Sequence, residues 1–246
     1  MTGHDRVRLD QLLVDRGLAP TRERARALVI AGQILVNGQP VTKAGTAIDR
    51  QADLTALTPD HPFVGRGGLK LAHALDTFGV SAKARECLDV GASTGGFTDA
   101  MLQRGAARVV ALDVGHGQLD WTLRNDPRVV VMEHFNARRL TAADLPARPT
   151  LVTIDVSFIS LRHIFPAVAA LLGPGADVVA LVKPQFEAGR REVHKGIIRD
   201  STVHARVLDE VIAAGAEVGL THVATTPSPV TGQKGNVEFL VHFRPR

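Results

Sequence analysis

Residues 87–98 read CLDVGASTGGFT, and they determine the architecture of the larger part of the chain. The first four residues predict a short buried strand, and three glycines lie within the next six positions. An amphipathic run at 99–104 then predicts a helix. A strand, a glycine-rich turn and a helix in this order begin a doubly wound α/β sheet.

Four more apolar runs, at 109–112, 129–132, 151–154 and 178–182, predict further strands of the same sheet. Each run leads to a polar residue; in chain order these are Asp113, Asn136, Asp155 and Lys183. Open α/β sheets bind ligands beyond the carboxyl ends of their strands. We therefore expect these four side chains to meet at one edge of the sheet.

The glycine-rich turn predicts a cofactor loop, and a tight turn without a ligand is the alternative. Glycines let the backbone approach a ligand closely, and an acidic residue about 20 positions further on can hold ribose hydroxyls. Asp113 has that spacing. The nicotinamide fingerprint GxGxxG is not met, because Ser93 stands at its middle glycine.

The composition indicates a globular protein with a basic N-terminal part. The chain has 246 residues, of which 45% are hydrophobic, enough for one sizeable core and a small extra domain. Residues 1–50 hold eight Lys or Arg and five Asp or Glu, which is three of the four net positive charges. Such a segment is typical of a polyanion-binding module.

The single cysteine, Cys87, excludes an internal disulfide and a cysteine-based zinc cluster. The ten histidines show no ligand spacing, so we expect no metal site.

The basic segment predicts a compact α+β unit. Leu9, Leu12 and Leu13 precede Gly17 and predict a short helix, and Thr21 is placed to cap a second helix that ends at Gly32. The run ILVNGQPV at 34–41 predicts a β-hairpin around an Asn-Gly turn. The arginines of the second helix are expected to project outward, either toward RNA or simply into solvent.

This part of the chain resembles the S4-type RNA-binding domain of ribosomal proteins. The resemblance covers residues 8–41, RLDQLLVDRGLAPTRERARALVIAGQILVNGQPV. It implies that the two helices present arginines to RNA phosphates, at Arg8, Arg22, Arg24 and Arg26. Residues 49–62 lose hydrophobic periodicity and are predicted to be a linker. We therefore expect an RNA-binding domain with its linker at 1–60 and a second domain at 61–246.

The loop sequence DVGASTGGF resembles the first motif of S-adenosylmethionine-dependent methyltransferases. The resemblance implies S-adenosylmethionine as the cofactor, with Asp113 on the ribose diol and Asn136 near the adenine. The cofactor-binding residues that it implies are Asp89, Gly91, Ala92, Ser93, Gly95, Gly96, Phe97, Asp113, Asn136 and Asp155.

A set of two lysines and two carboxylates suits methyl transfer to a hydroxyl group. A ribose hydroxyl is a very weak acid, and a positioned lysine can accept its proton or stabilise the developing alkoxide. Carboxylates orient such a lysine but also favour its charged form. Lys70 follows the glycine-rich residues 65–68, and Glu238 lies in a predicted last strand at 236–243. Asp155 and Lys183 complete the set.

This set resembles that of the FtsJ-like ribose 2′-O-methyltransferases. Six ordered motifs extend the resemblance over nearly the whole chain to the TlyA family of ribosomal RNA methyltransferases: VGRGGLKL, DVGASTGGFT, ALDVGHGQL, IDVSFISL, VKPQFE and SPVTGQKGNVEFL. The resemblance implies that Lys183 is the central catalytic lysine and Asp155 its partner, and that Lys70 and Glu238 position the ribose. Without these motifs, Lys70 would be interpreted as a surface charge and Glu238 as an edge-strand residue.

Further residues are candidates for RNA contacts. Phe158 and Phe186 are expected either to stack on a base or to pack in the core. Arg66, Arg190 and Arg191 are expected to touch RNA phosphates, and a solvated loop is the alternative for the last two.

The sequence therefore predicts a Rossmann-like methyltransferase sheet with a small N-terminal α+β RNA-binding domain. The expected reaction is methyl transfer from S-adenosylmethionine to the 2′-oxygen of a cytidine in ribosomal RNA. In the family that the sequence resembles, longer members carry extra C-terminal residues and modify both ribosomal subunits. This chain ends three residues after its last apolar strand position. We therefore expect the large-subunit RNA as the substrate.

The sequence has two alternative functional interpretations. The family has also been named haemolysin, but the sequence has no apolar segment near the roughly 20 residues that span a bilayer and no apolar signal core. We therefore expect a cytoplasmic protein whose partner is ribosomal RNA and not a membrane. The complete Lys/Asp/Lys/Glu set argues against the other alternative, a non-catalytic ribosome-assembly factor.

Overall fold

The computed structural model describes residues 6–19, 21–57, 61–189, 192–193, 196–232 and 235–246. The chain divides into two compact units, Met1–Pro62 and Phe63–Arg246.

The N-terminal unit has the predicted pair of helices and the predicted hairpin. Its elements are β1 (Arg6–Arg8), α1 (Leu9–Asp15), α2 (Arg22–Ile30), β2 (Ile34–Val36), β3 (Gln39–Pro40), β4 (Ala47–Asp49) and β5 (Leu54–Ala56). Thr21 caps α2, since its side chain accepts a hydrogen bond of 3.2 Å from the Arg24 N–H. Asn37 and Gly38 both have positive φ, as the two-residue turn between β2 and β3 requires.

The predicted linker at 49–62 is wrong for most of its length. Asp49 ends β4, which pairs antiparallel with β1. Residues 54–56 form β5, which pairs antiparallel with β2 and places Ala56 opposite Ile34. Each of these strands has only three residues, which is too few for an alternating hydrophobic pattern to be detected. The segment therefore belongs to the N-terminal unit.

The C-terminal unit is built on a mixed seven-stranded sheet. Its strands are β6 (Glu86–Val90), β7 (Arg108–Leu112), β8 (Val129–Met132), β9 (Leu151–Ile154), β10 (Asp177–Val182), β11 (Leu220–Pro227) and β12 (Phe239–Pro245). The spatial order is β11-β12-β10-β9-β6-β7-β8. The five predicted strands pair parallel, whereas β12 runs antiparallel between β10 and β11.

Helices cover both faces of this sheet. They are α3 (Gly67–Phe78), α4 (Gly96–Gln103), α5 (Trp121–Arg124), α6 (Phe165–Leu171), α7 (Pro184–Glu187) and α8 (Ser201–Glu217). Successive residues of β10 point to opposite sides: Val178 lies in the core shared with α6 and α8, and Val179 lies in the core shared with α3 and α4. Such burial on both faces explains why the parallel strands are continuous apolar runs.

The first turns of α3 and α4 meet through glycine. A Cβ atom on Gly96 would lie 2.9 Å from the backbone nitrogen of Gly68 and 3.1 Å from the Cα of Gly67. Only glycine allows this backbone approach, so the helix that carries Lys70 packs directly on the helix that follows the glycine-rich turn.

Two sequence predictions need correction in this unit, and one strand was not predicted. The helix after the glycine-rich turn begins at Gly96, not at residue 99. The last strand begins at Phe239, so Glu238 precedes it. β11, whose residues are largely exposed and rich in threonine, has no counterpart among the predicted strands.

Candidate active site

A cavity of about 580 Å³ lies at the carboxyl edge of the parallel strands. Five of the residues predicted to bind the cofactor line it: Gly91, Ser93, Asp113, Asn136 and Asp155. Its wall also contains residues that the sequence analysis did not single out, among them Val114, Gln118, Phe135, Arg138, Ser157, Ile159 and Ile164. All of these residues except Ile164 follow the end of a strand within about six positions, and this position was the one signal that could have pointed to them.

Asp113 is the fixed carboxylate of this cavity. Its Oδ2 accepts a hydrogen bond of 2.8 Å from the Ser93 N–H, and its Oδ1 accepts one of 2.7 Å from the Gly115 N–H. Asp113 follows β7, whereas Ser93 belongs to the glycine-rich turn after β6. The carboxylate thereby ties the two loops together and presents acceptor oxygens to a ligand with hydroxyl groups.

Five other residues of the predicted cofactor set do not line the cavity. Asp89 is fully buried and accepts hydrogen bonds from the hydroxyls of Thr98 (2.6 Å) and Thr153 (3.0 Å). Burial raises the pKa of Asp89 to about 7. The remaining residues pack around the glycine-rich turn and the start of α4: Ala92, Gly95, Gly96 and Phe97.

Lys183 and Asp155 form an ion pair beside the cavity. Nζ of Lys183 lies 2.5 Å from Oδ1 of Asp155, and it donates a hydrogen bond of 2.9 Å to the hydroxyl of Ser157. Lys183 follows β10, and both of its partners follow β9, the neighbouring strand. The sheet therefore places the predicted lysine and carboxylate next to each other, as expected from their positions at the ends of strands.

Lys70 and Glu238 form a second ion pair, which is buried. Nζ of Lys70, on α3, donates to Oε2 of Glu238, just before β12. Both residues are less than a tenth exposed. Removing either partner would leave an uncompensated buried charge, so each holds the other in place.

The segment before β12 is shaped around the Glu238 carboxylate. A Cβ atom on Gly232 would lie 2.0 Å from Oε1 of Glu238. The side chain of Asn236, 3% exposed, donates to the carbonyl of Gly196 (2.9 Å) and accepts from the N–H of Ile198 (3.3 Å). Neither Gly232 nor Asn236 was singled out in the sequence, because both act by contacts that only the fold creates.

Glu187 joins the two loops that carry Lys183 and Asp155. Its carboxylate accepts hydrogen bonds from the hydroxyl of Ser160 (2.5 Å) and the N–H of Leu161 (2.9 Å). Burial raises the pKa of this carboxyl group. The short helix after Lys183 is thereby fixed to the loop after Asp155.

Phe158 is an exposed aromatic residue in the loop that lines the cavity. It is 89% exposed, and its ring centroid lies 4.8 Å from that of Phe186. Core packing, one of the two expectations for this residue, is therefore wrong for Phe158. The exposed ring remains suited to stacking on a base.

The arginines predicted to bind RNA differ in their surroundings. Arg22 and Arg26 on α2 are exposed, and Arg24 is half-buried. Arg8 is exposed and pairs with the buried carboxylate of Asp10. Arg66 is exposed at the start of α3 in the other unit. Arg190 and Arg191 lie outside the described residues.

Two family models match the chain. The S4 domain matches residues 7–54, and the FtsJ-like methyltransferase matches residues 63–245, including all four residues of the two ion pairs. The chain belongs to the FtsJ-like methyltransferase family. The N-terminal unit of this FtsJ-like methyltransferase contains the S4 domain that the sequence resemblance implied.

Similar proteins extend the likeness beyond the separate domains. TlyA of Mycobacterium tuberculosis, named a 16S/23S rRNA (cytidine-2′-O)-methyltransferase, is 46% identical over 241 residues, which are 97% of this chain and 90% of that protein. YqxC of Bacillus subtilis, described as a candidate rRNA methyltransferase, is 52% identical over 238 residues, with 96% and 85% covered. A solved structure from Streptococcus thermophilus, described as a candidate hemolysin, is 45% identical with a TM-score of 0.77, and the match covers 99% of this FtsJ-like methyltransferase and 90% of that chain.

None of the helices that the structure describes combines the length and the apolar character needed to cross a bilayer. Within the same described ranges, no three His, Cys, Asp or Glu side chains converge as metal ligands would.

Proposed function

We propose that this FtsJ-like methyltransferase transfers a methyl group from S-adenosylmethionine to the ribose 2′-hydroxyl of a cytidine in ribosomal RNA. The observation that carries the proposal is the ion pair between Lys183 and Asp155, because Asp155 also lines the cavity. A lysine held at that edge can act on a hydroxyl brought to the cavity. The name of the 46%-identical M. tuberculosis relative supports the choice of cytidine and of ribosomal RNA.

The lining of the cavity fits S-adenosylmethionine. A volume of about 580 Å³ suits a ligand of this size. The Asp113 carboxylate can accept hydrogen bonds from the ribose hydroxyls, and the Asn136 amide can offer a polar partner to the adenine. Phe135 and Ile159 add apolar surface to the wall. Bound there, S-adenosylmethionine supplies an electrophilic methyl group on a positively charged sulfur, so its departing thioether needs no acid.

The protein's own groups act on the ribose hydroxyl. In its neutral form Lys183 accepts the hydroxyl proton at Nζ and passes it to water; in its charged form it stabilises the developing alkoxide. Asp155 and Ser157 fix the position of that Nζ. We assign the positioning of the ribose to Lys70 and Glu238, whose buried pair keeps its geometry through mutual charge compensation.

The RNA is held by exposed groups of both units. We assign phosphate contacts to the exposed arginines of the S4 domain and to Arg66, and stacking on the target base to Phe158. Since the proposed substrate is ribosomal RNA, we expect the protein to act in the cytoplasm.

Substitution of Lys183 tests this proposal. In Lys183→Ala, methyl transfer from labelled S-adenosylmethionine to ribosomal subunits should be lost while the cofactor dissociation constant, measured by calorimetry, stays near that of the wild type. Lys183→Arg should also fail, because a guanidinium does not release its proton and differs in shape. Lys83→Ala removes an exposed lysine elsewhere in the same unit and is the matched control. Near-normal turnover in Lys183→Ala would refute the mechanism.

The site of methylation is tested by mapping. A 2′-O-methyl group blocks alkaline cleavage at its nucleotide, so the product is located by comparing hydrolysis ladders with and without the enzyme. Both subunit RNAs must be mapped, because the M. tuberculosis relative is named for both. Methylation on a base, or no site in either RNA, would contradict the proposed reaction.

A further inference from the structure

We propose that Asp10 is a positioning residue that holds Arg8 and Arg22 together as a two-guanidinium site for one RNA phosphate. The inference rests on the proposed function, since it assumes that the S4 domain binds RNA through these arginines. The inference adds Asp10, a buried acidic residue that fixes the geometry of the two arginines.

The geometry places one carboxylate between two guanidinium groups. Arg8 donates two hydrogen bonds to Asp10, from Nε to Oδ1 at 3.0 Å and from Nη2 to Oδ2 at 2.8 Å. Nη2 of Arg22 reaches the same Oδ2 at 3.5 Å. Arg8 lies just before α1 and Arg22 begins α2, so the carboxylate brings together residues of two separate elements.

The exposure of the three side chains differs sharply. The Asp10 side chain is 1% exposed, whereas those of Arg8 and Arg22 are 55% and 50% exposed. The acid is therefore shielded from an RNA molecule by the same arginines that it orients. Each guanidinium carries five N–H donors, of which Asp10 takes two from Arg8 and one from Arg22, and the exposed parts of both groups face solvent.

The charges favour an anionic ligand. The Arg8 hydrogen bonds hold the pKa of Asp10 below its usual range, so the carboxylate stays ionised at neutral pH. Two guanidiniums and one carboxylate leave one positive charge. Planar guanidinium groups match the geometry of phosphate oxygens, and a phosphodiester carries one negative charge.

Holding the arginines in place should increase RNA affinity. An arginine that is free in the unbound protein loses rotamer freedom when it meets a phosphate, and ordering one long side chain at an interface weakens binding by roughly 2- to 10-fold. Side chains that Asp10 has already ordered avoid most of this loss.

The alternative is that Asp10 only balances charge within the fold. The two explanations predict opposite signs. If Asp10 only balances charge, its neutralisation adds one net positive charge near the RNA and should tighten binding. If Asp10 orders the arginines, its neutralisation should weaken binding in spite of the added charge.

The experiment measures binding of the full-length protein to an rRNA fragment at several salt concentrations. Asp10→Asn is compared with Asp15→Asn, which makes the same charge change at an exposed position of the same helix. We expect the dissociation constant to rise roughly 2- to 10-fold for Asp10→Asn, the loss for one disordered arginine. The salt slope should be unchanged, since the phosphate contacts still form. Asp15→Asn should bind as tightly as the wild type or tighter. Equal or tighter binding by Asp10→Asn would overturn the inference.

Two further variants keep the test decisive. If Asp10→Asn lowers the thermal stability of the N-terminal unit, Arg8→Lys replaces it in the test. This variant keeps the charge but loses the bidentate contact with Asp10, so RNA binding should weaken. Wild-type affinity in Arg8→Lys would refute the inference.

Arg8→Ala tests the underlying function, because it should weaken binding and make the salt slope shallower by about 0.7 to 0.9. If Arg8→Ala has no effect, the proposed RNA contact fails as well; if only Asp10→Asn has none, the positioning role alone fails.

Discussion

At the scale of single residues, Asp89 combines an ionisable group with complete burial. Its carboxyl group is fully buried, and it accepts hydrogen bonds from the hydroxyls of Thr98 and Thr153. Burial raises its pKa to about 7, well above that of an aspartate in the unfolded chain. The folded protein therefore holds a proton here at pH values where the unfolded chain has lost it.

This difference predicts a pH-dependent stability. The contribution of Asp89 is fully present below about pH 4 and is lost as the pH rises toward the folded pKa near 7. The total change is at most about 4 kcal/mol, since each pKa unit corresponds to about 1.4 kcal/mol. Asp89→Asn, which cannot ionise, should remove this part of the pH dependence. Urea unfolding followed through Trp121, the single tryptophan, reports on the C-terminal unit across this pH range.

Asp144→Asn is the control for that measurement. Hydrogen bonds from Thr141 lower the pKa of Asp144, so its contribution is present at neutral pH and is lost as the pH falls through the lowered value. The two variants should therefore change the pH profile in opposite directions. Parallel profiles for wild type and Asp89→Asn would contradict a protonated Asp89.

Asp113→Ala should weaken S-adenosylmethionine binding by about 1 to 3 kcal/mol, the scale for polar groups that lose a charged partner. The substitution removes the acceptor proposed for the ribose hydroxyls and also releases the Ser93 and Gly115 N–H groups. Calorimetry with the cofactor measures the loss, and RNA binding should change little. Asp144→Ala, which removes a carboxylate outside the cavity, is the matched control. An unchanged cofactor affinity in Asp113→Ala would mean that the ligand lies elsewhere.

At the scale of elements, the segment before β12 determines where Glu238 sits. Gly232→Ala would place a methyl group within 2.0 Å of the current position of Oε1, so the carboxylate must move away from its pairing with Lys70. We expect kcat to fall while the cofactor dissociation constant stays constant, because neither Gly232 nor Glu238 lines the cavity. Methyl-transfer kinetics and calorimetry measure the two effects.

A double variant separates this clash from a general loss of structure. In a Glu238→Ala background no carboxylate remains to be displaced, so adding Gly232→Ala should have little further effect on turnover or melting temperature. Gly189→Ala is a suitable control, since its added Cβ would make only an ordinary contact of 3.4 Å. Additive losses in the double variant would show that Gly232 acts independently of Glu238.

The elements differ in how far their sequences predict them. The five parallel strands are buried on both faces, so their apolar runs are continuous and their bounds are predicted to within one residue. β11 lies at the edge of the sheet with most of its residues exposed, and its threonine-rich sequence gives no such signal. The position of Glu238 depends on where the pairing of β10 with β12 begins. The pairing of two strands is set by the fold, and the local sequence around Glu238 does not predict it.

The two ion pairs of the candidate site also differ in how far the sequence predicts them. Strand-end positions were sufficient to predict that Asp155 and Lys183 lie together, because adjacent parallel strands end at one edge. Lys70 and Glu238 are 168 positions apart, and no spacing rule connects them. Their pairing follows only from the packing of α3 beside the antiparallel end of the sheet.

At the scale of the whole molecule, most of the net positive charge lies in the N-terminal unit, since residues 1–50 carry three of the four net positive charges. Deleting residues 1–62, the complete N-terminal unit, should leave a folded remainder that still binds S-adenosylmethionine, because every residue that lines the cavity lies beyond this boundary. RNA affinity should fall and its salt dependence should become shallower, since each lost phosphate contact removes about 0.7 to 0.9 from the slope of log affinity against log salt. Titrations of an rRNA fragment with full-length and shortened protein measure both effects. Equal slopes would show that the basic N-terminal unit does not supply the phosphate contacts.

The glycine contact between α3 and α4 limits how this sequence can vary over evolutionary time. Because a Cβ atom on Gly96 would press on the backbone of Gly67 and Gly68, enlarging Gly96 separates two helices and is not compensated by trimming a neighbouring side chain. A saturation library selected for folding should therefore lose nearly all substitutions at position 96, even though this glycine does not line the cavity. Conservation at such a position would record a packing constraint, and a motif that is usually attributed to ligand binding would be preserved in part for a different reason.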